Sequence, residues 1–336
     1  MGVVSMNEEL KNSLNLFIGN LAETKKKFYW QDTLTKKLMA LIYTSENKKL
    51  DAENIKDCHR LLKMNTGVFS MFRGNSAYCI ATLLSLKPDK ERLLQNTLDV
   101  YDRMKAVKFK SSDYLTIAAL FIASQTNEDN YPNVIFRAKE FYDGMKSNHI
   151  LITGGDDYIF AAMLGLSHLD PKTGSAQMER LYQRLKSEFT GGDGLQMLSQ
   201  ILLLGGYTEE SLYKVADLNN AFRNDGIRLD KRYTISSLGI LSLLPSHKSE
   251  IVSAVKEVYE YLRSQKGFGG LSSTKQEVLM YASALASFPF MEESKNTLVT
   301  GALSTTITNI ILAQQAAMAA IAASSAATAA ASGGGN

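Results

Sequence analysis

Short strings of small and apolar residues recur along the chain: LMALIYTS at 38–45, AYCIATLLSL at 77–86, YLTIAALFIAS at 114–124, YIFAAMLGLS at 158–167, LQMLSQILLLG at 195–205, YTISSLGILSL at 233–243 and VLMYASALAS at 278–287. They begin about 40 residues apart. Each carries too few polar residues to present a solvated face, so each predicts a helix buried on several sides. Between them lie amphipathic segments that end in HRLLK (59–63), YDRMK (101–105), YDGMK (142–146), YQRLK (182–186), NNAFR (219–223) and YEYLR (259–263). Six such strings, 37 to 42 residues apart, mark an internal repeat. The first position is aromatic or polar, the fourth apolar and the fifth basic. First and fourth share a helical face, which assigns Tyr101, Tyr142, Tyr182 and Tyr259 to packing between repeats; the base suits the negative end of the helix dipole.

The connections alternate as regularly as the helices. Pro88, Pro132, Pro171, Pro245 and Pro289 all follow an apolar string and precede an amphipathic one, and Gly205-Gly206 holds the same place in the remaining repeat. Proline has a preset φ and no N–H, so it fits a first helical turn and not an interior. The other connection carries glycine and a capping residue: FRGNS, KSSD, TGGDD, TGGDG, NDGIRLDK and KGFGGLSSTK. Asn75, Asp113, Asp157, Asp193, Asp230 and Thr274 are the N-cap candidates for the apolar helices that follow. The pattern predicts an all-α fold: about seven stacked αα-hairpins over residues 1–295, each loop type gathered at one end of the array. An open superhelix and a closed α/α toroid fit equally well.

Residues 296–336 differ from the rest, since no charged residue follows Lys295. Ile307, Ile310, Ile311, Gln314, Met318 and Ile321 recur every three or four positions, and 313–331 contain twelve alanines, the best helix former. The reading that fits best is a helical tail docked against or within the array, ahead of a surface for self-association or a partner. Membrane contact comes third, because Thr305, Thr306, Thr308, Asn309, Gln314, Gln315, Ser324, Ser325 and Thr328 dilute the apolar run.

Composition narrows the classes further. Five prolines in 336 residues are about 1.5%, against roughly 5% in ordinary proteins. The 37 basic and 34 acidic residues leave a net charge of +3, too balanced for a nucleic-acid footprint; KKK at 25–27 and KFK at 108–110 read as solvated surface. Cys58, Cys79 and four scattered histidines form no metal pattern. The N-terminus lacks the basic and apolar regions of a secretory signal, which points to the cytoplasm. No cofactor motif occurs: GFGG at 267–270 follows a helix where a dinucleotide fingerprint must follow a strand.

The Gly/Asp loops are where a site can be argued. Their glycines, followed by apolar helices, look like the repeats of terpenoid cyclases and protein prenyltransferases, and more loosely like helical-toroid glycosidases. The family motifs fail position by position. A DDxxD set starting at Asp156 and Asp157 needs aspartate where Phe160 stands, and a DxDD set needs it where Gly154 stands. A carboxylate pair drawn from Asp113, Asp156, Asp157, Asp193 and Asp230 has the residue type for glycan chemistry, yet the single tryptophan, Trp30, lies elsewhere. Arg73, in a glycine loop beside a helix start, has the chemistry to hold a carboxylate or phosphate, or to brace its own loop.

With these motifs in place, MFRGNSAYCIATLLSL, DVYDRMKAVKFKSSDYLTIAALFIA and the Ala/Gln-rich tail resemble a family of uncharacterised proteins of Gram-positive bacteria. The resemblance spans most of the chain and implies an all-helical cytoplasmic protein without implying a mechanism. The expectation is a binding scaffold for a protein or small-molecule ligand, with Arg73, Asn75, Asp113, Asp156, Asp157, Asp193 and Asp230 as its candidate residues. A toroid enzyme acting on a glycan or isoprenoid-like substrate and a tail-anchored membrane protein are the alternatives.

Overall fold

A computed structural model describes residues 8–206, 208–270, 272–294, 308 and 310–316. They form helices joined by short loops, with no strand among the described residues. Amphipathic helices α1 (Glu8–Lys27), α3 (Ala52–Met64), α5 (Lys90–Ala106), α7 (Tyr131–Asn148), α9 (Pro171–Leu185), α11 (Glu209–Asn224) and α13 (Lys248–Ser264) alternate with apolar helices. The latter are α2 (Thr33–Ser45), α4 (Ala77–Ser85), α6 (Asp113–Gln125), α8 (Asp157–Leu166), α10 (Asp193–Leu204), α12 (Ile235–Ser242) and α14 (Lys275–Ser294).

Burial follows composition. In α6 every residue from Leu115 to Ala123 is buried, whereas α3 buries Ala52, Ile55, Cys58 and Leu62, one stripe at helical spacing. The fourth position of each terminal string is buried throughout: Leu62, Met104, Met145, Leu185, Phe222 and Leu262. Three of the first-position tyrosines make contacts with neighbouring loops and helices. Tyr101 meets Phe72 edge to face at 5.0 Å, Tyr142 lies 5.0 Å from Tyr158, and the Tyr182 hydroxyl accepts from Gly192 N at 3.0 Å.

The chain divides into two compact units. One comprises Leu16–Ala176 with the described residues from Leu312 on. Here α3 packs on α4, α5 on α6 and α7 on α8, while α4 and α8 both touch α6. Polar ties join successive apolar helices: Tyr43 Oη to Ser85 Oγ at 2.8 Å and Ser76 Oγ to Thr116 Oγ1 at 2.9 Å. The other unit comprises Gln177–Ile311 with the described residues before Leu16; in it α11 packs on α12, α13 on α14, and α12 touches both α10 and α14.

Side-chain caps close both kinds of helix, Asp32 capping apolar α2 through Thr35 N. Asp51, Asp89 and Asp170 accept from Asn54 N, Arg92 N and Thr173 N, and Thr208 with Ser211 completes a capping box. The aspartates beside Pro88 and Pro171 thus do the capping. Pro289 departs from the expected phase. It stands inside α14, where its missing N–H leaves the carbonyl one turn back without its usual donor; the apolar run through Phe290 and Met291 carries the helix past it.

Thr308 and residues 310–316 are helical, and Ile310 through Ala316 are buried. Ile307, Met318, Ile321 and the alanines from 317 onward lie outside the described residues. Among the described residues no helix is long and apolar enough to cross a membrane.

Candidate functional site

The Gly/Asp loops are not built as the N-cap reading expects. Asp113, Asp157 and Asp193 each occupy the first helical position, after Ser112, Asp156 and Gly192. Ser112 caps α6 through Leu115 N, and Thr274 holds its expected place by accepting from Glu277 N at 3.1 Å. One residue further in, a carboxylate still lies in the favourable field of the helix N-terminus, and it is free to bond outside its own first turn.

In the 16–176 unit, Asp113 Oδ1 accepts from both Ser76 N and Ser76 Oγ at 2.9 Å, tying the start of α6 to the start of α4. Asp157 is buried and takes the Gly154 N–H at 2.9 Å. Asp156 is half-buried over Gly154, and Asn75 is exposed in the turn before α4. Arg73 braces its loop: its guanidinium donates to the carbonyls of Lys63 and Thr66 and to Thr66 Oγ1. Lys146, at the fifth string position, likewise donates to Ile150 O and Thr153 O. These bonds hold loops that would otherwise carry unpaired carbonyls.

The other two aspartates meet in one cleft. In the 177–311 unit, the loop before α10 and the loop before α12 enclose a space of about 490 Å³, with Glu188, Asp193, Arg223, Arg228, Asp230, Lys231 and Arg232 among its lining. The loops approach closely at Gly194, where a β-carbon would fall 2.7 Å from Arg232 O, so the cleft requires glycine there. Asp193 Oδ2 accepts from Arg232 Nε at 2.8 Å. Asp230, with a side chain only 8% exposed, accepts from Arg228 Nε at 3.0 Å, Arg228 Nη2 at 2.8 Å and Arg223 Nη2 at 2.5 Å. Hydrogen bonds from Arg228, then from Arg223, hold its carboxyl well below the usual carboxylate range.

The arginines themselves are half open to water. A guanidinium carries five donors, and among the described residues Arg223 and Arg228 spend theirs only on Asp230. Their remaining donors suit the planar, paired geometry of a carboxylate or phosphate. Arg223, Arg228, Lys231 and Arg232 are the residues that sequence reasoning passed over. Arg223 was legible as the fifth residue of NNAFR, and the others as the basic run within IRLDKR, the one Gly/Asp loop with three bases. Among the described residues no group of histidine, cysteine, aspartate and glutamate side chains could hold a metal ion.

Residues 20–316 fit the model of the family described as "Protein of unknown function (DUF4003)". No curated protein and no solved structure matches the chain.

Proposed function

Because the chain belongs to the DUF4003 family, whose description assigns no activity, we propose from geometry that it is a binding protein whose Gly/Asp loops carry the binding face. The ligand is a small anion bearing a carboxylate or phosphate, held in the 188–235 cleft. The observation that carries this reading is the convergence of Arg223, Arg228, Lys231 and Arg232 on one cleft, where they outnumber Glu188, Asp193 and Asp230. Asp193 and Asp230 act as fixed counter-charges that orient guanidiniums whose outer donors face the ligand. Acid–base chemistry fits less well, since a general acid needs a carboxyl raised toward neutral pH and Asp230 is displaced the opposite way.

Calorimetric titration with inorganic phosphate, pyrophosphate and citrate tests the proposal. At least one should bind, weaken as salt rises, and lose about tenfold or more in affinity in Arg228→Ala or Arg232→Ala. If none of the three binds, or if both variants bind as the wild type does, the proposal is wrong.

A further inference from the structure

The 16–176 unit carries a second surface, made from the loops that precede α4, α6 and α8. The starts of these helices lie side by side. Asp113 at the start of α6 is bonded to Ser76 at the start of α4, Lys110 N donates to the Tyr158 hydroxyl at the start of α8, and a β-carbon on Gly155 would touch the Tyr114 ring. The three loops therefore share one end of the unit.

That end is apolar where it is most exposed. Phe69 is 97% and Leu151 95% exposed, and Met64, Val68 and Ile150 stand exposed beside them. Several large apolar side chains exposed at one end of the unit mark an interaction surface. The charges are sorted as well. Across 63–76, 105–113 and 146–157 the exposed charged residues are Lys63, Lys105, Lys108 and Lys110, whereas Arg73, Lys146, Asp113 and Asp156 are half-buried and Asp157 is buried. The nearest exposed acids in sequence are Asp102, three residues before Lys105 on α5, and Asp143, three residues before Lys146 on α7 and paired with Lys139.

Lys108 has φ +75°, in the left-handed region. The equivalent turn after α11 uses Gly226 at φ +74°; in both, the next residue's N–H closes a six-residue turn, Phe109 to Met104 O and Ile227 to Phe222 O. A lysine here carries a backbone cost that glycine would avoid.

We propose that this loop end docks on an anionic phospholipid membrane, with the side chains of Phe69, Leu151 and their apolar neighbours entering the interface and the four lysines meeting the headgroups. Charge complementarity favours this occupant, since exposed amines around apolar tips match a surface that is negative outside and apolar beneath. The apolar groups also come from two separate loops, with the lysine-bearing loop between them in chain order. A helix-binding groove would instead present a continuous apolar floor.

Co-sedimentation of the full chain with sucrose-loaded vesicles tests this. Protein should pellet with an equal mixture of phosphatidylcholine and phosphatidylserine, remain in solution with phosphatidylcholine alone, and be released by added salt. The double variants F69S/L151S and K108E/K110E should each lower the partition coefficient by about tenfold or more, while circular dichroism melting shows both folded. No pelleting with the mixed vesicles overturns the proposal. So does pelleting that survives both double variants, which would place the contact elsewhere, including the 296–336 tail. A concentration-dependent dimer in analytical ultracentrifugation, lost in F69S/L151S and without vesicle binding, would assign the surface to a second copy of the chain and likewise overturn it.

Discussion

Asp230→Asn probes the arginine cleft at the point where its charges are held. Asparagine keeps the volume of the side chain but replaces one oxygen by an amide that faces a guanidinium, so the three N–H bonds from Arg228 and Arg223 cannot all survive. Hydrogen bonds to charged groups are worth about 1.5–3 kcal/mol each at best. Both arginines are half open to water, which screens the pair, so the net loss at neutral pH should be about 1–2 kcal/mol. The pH dependence has a definite sign. The folded carboxyl, held by Arg228 and Arg223, ionises below its ordinary value; its contribution is complete above the unfolded value of about 3.9 and disappears as pH falls through the folded one. Urea unfolding of wild type and variant at neutral pH and near pH 3 measures both, with the slopes compared to check that the unfolding reaction is unchanged. The gap between the two proteins should narrow at the acid end. A gap of the same size at both pH values, or one below about 0.3 kcal/mol at neutral pH, would refute the assignment of Asp230 as the clamp of the cleft.

Three further outcomes follow from packing and backbone geometry. In Gly165→Ala the new β-carbon would fall 2.7 Å from Val134 O and 2.9 Å from Ala138 N, so α7 and α8 must part; chemical denaturation should register a loss of about 1–3 kcal/mol, and unchanged stability would contradict the close crossing. Lys108→Gly should gain about 0.5–1 kcal/mol by relieving the left-handed turn while weakening vesicle binding; a loss of stability would show that the turn does not strain the lysine. Burial pushes the Cys58 thiol up to about 11 and Cys79 to about 12, so a thiol reagent at pH 8 should label neither promptly until urea unfolds the chain, and rapid labelling of either in the native protein would refute that burial.

The helical pattern was legible because burial of apolar residues is what forms these helices: the fourth position of every terminal string lies in the core. The aspartates were misassigned for a local reason. Helices α6, α8 and α10 begin one residue earlier than an N-cap reading allows, and a one-residue offset decides whether a carboxylate closes its own first turn or reaches outside it. The reaching bonds join residues 37 and 39 apart in Ser76–Asp113 and Arg232–Asp193, close to the repeat length itself. Such pairs occur where residues at one phase of the repeat stack upon each other, a relation that periodicity implies but that capping preferences hide. Pro289 keeps the spacing of the loop prolines but stands in the interior of α14, so proline phase marks a loop only where the apolar helix ends before it.

The fifth position of the terminal strings explains how one repeat supports two different surfaces. Lys146 and Arg263 reach forward to loop carbonyls, and Arg223 reaches to Asp230. In each case the base that ends an amphipathic helix fixes the loop that follows. Where such bases, or Arg73 in the Phe69 loop, hold the loop ends and the apolar helices are locked at their cores, the residues between can change without cost to the core. One set of loops then exposes Phe69, Leu151 and lysines, and another gathers arginines around Asp230. Because each surface lies within its own compact unit, the two should fail separately: F69S/L151S should leave phosphate, pyrophosphate or citrate affinity unchanged, and Arg228→Ala should leave vesicle binding unchanged. Loss of both functions in either variant would mean that the loops do not act as independent binding elements on a common helical frame.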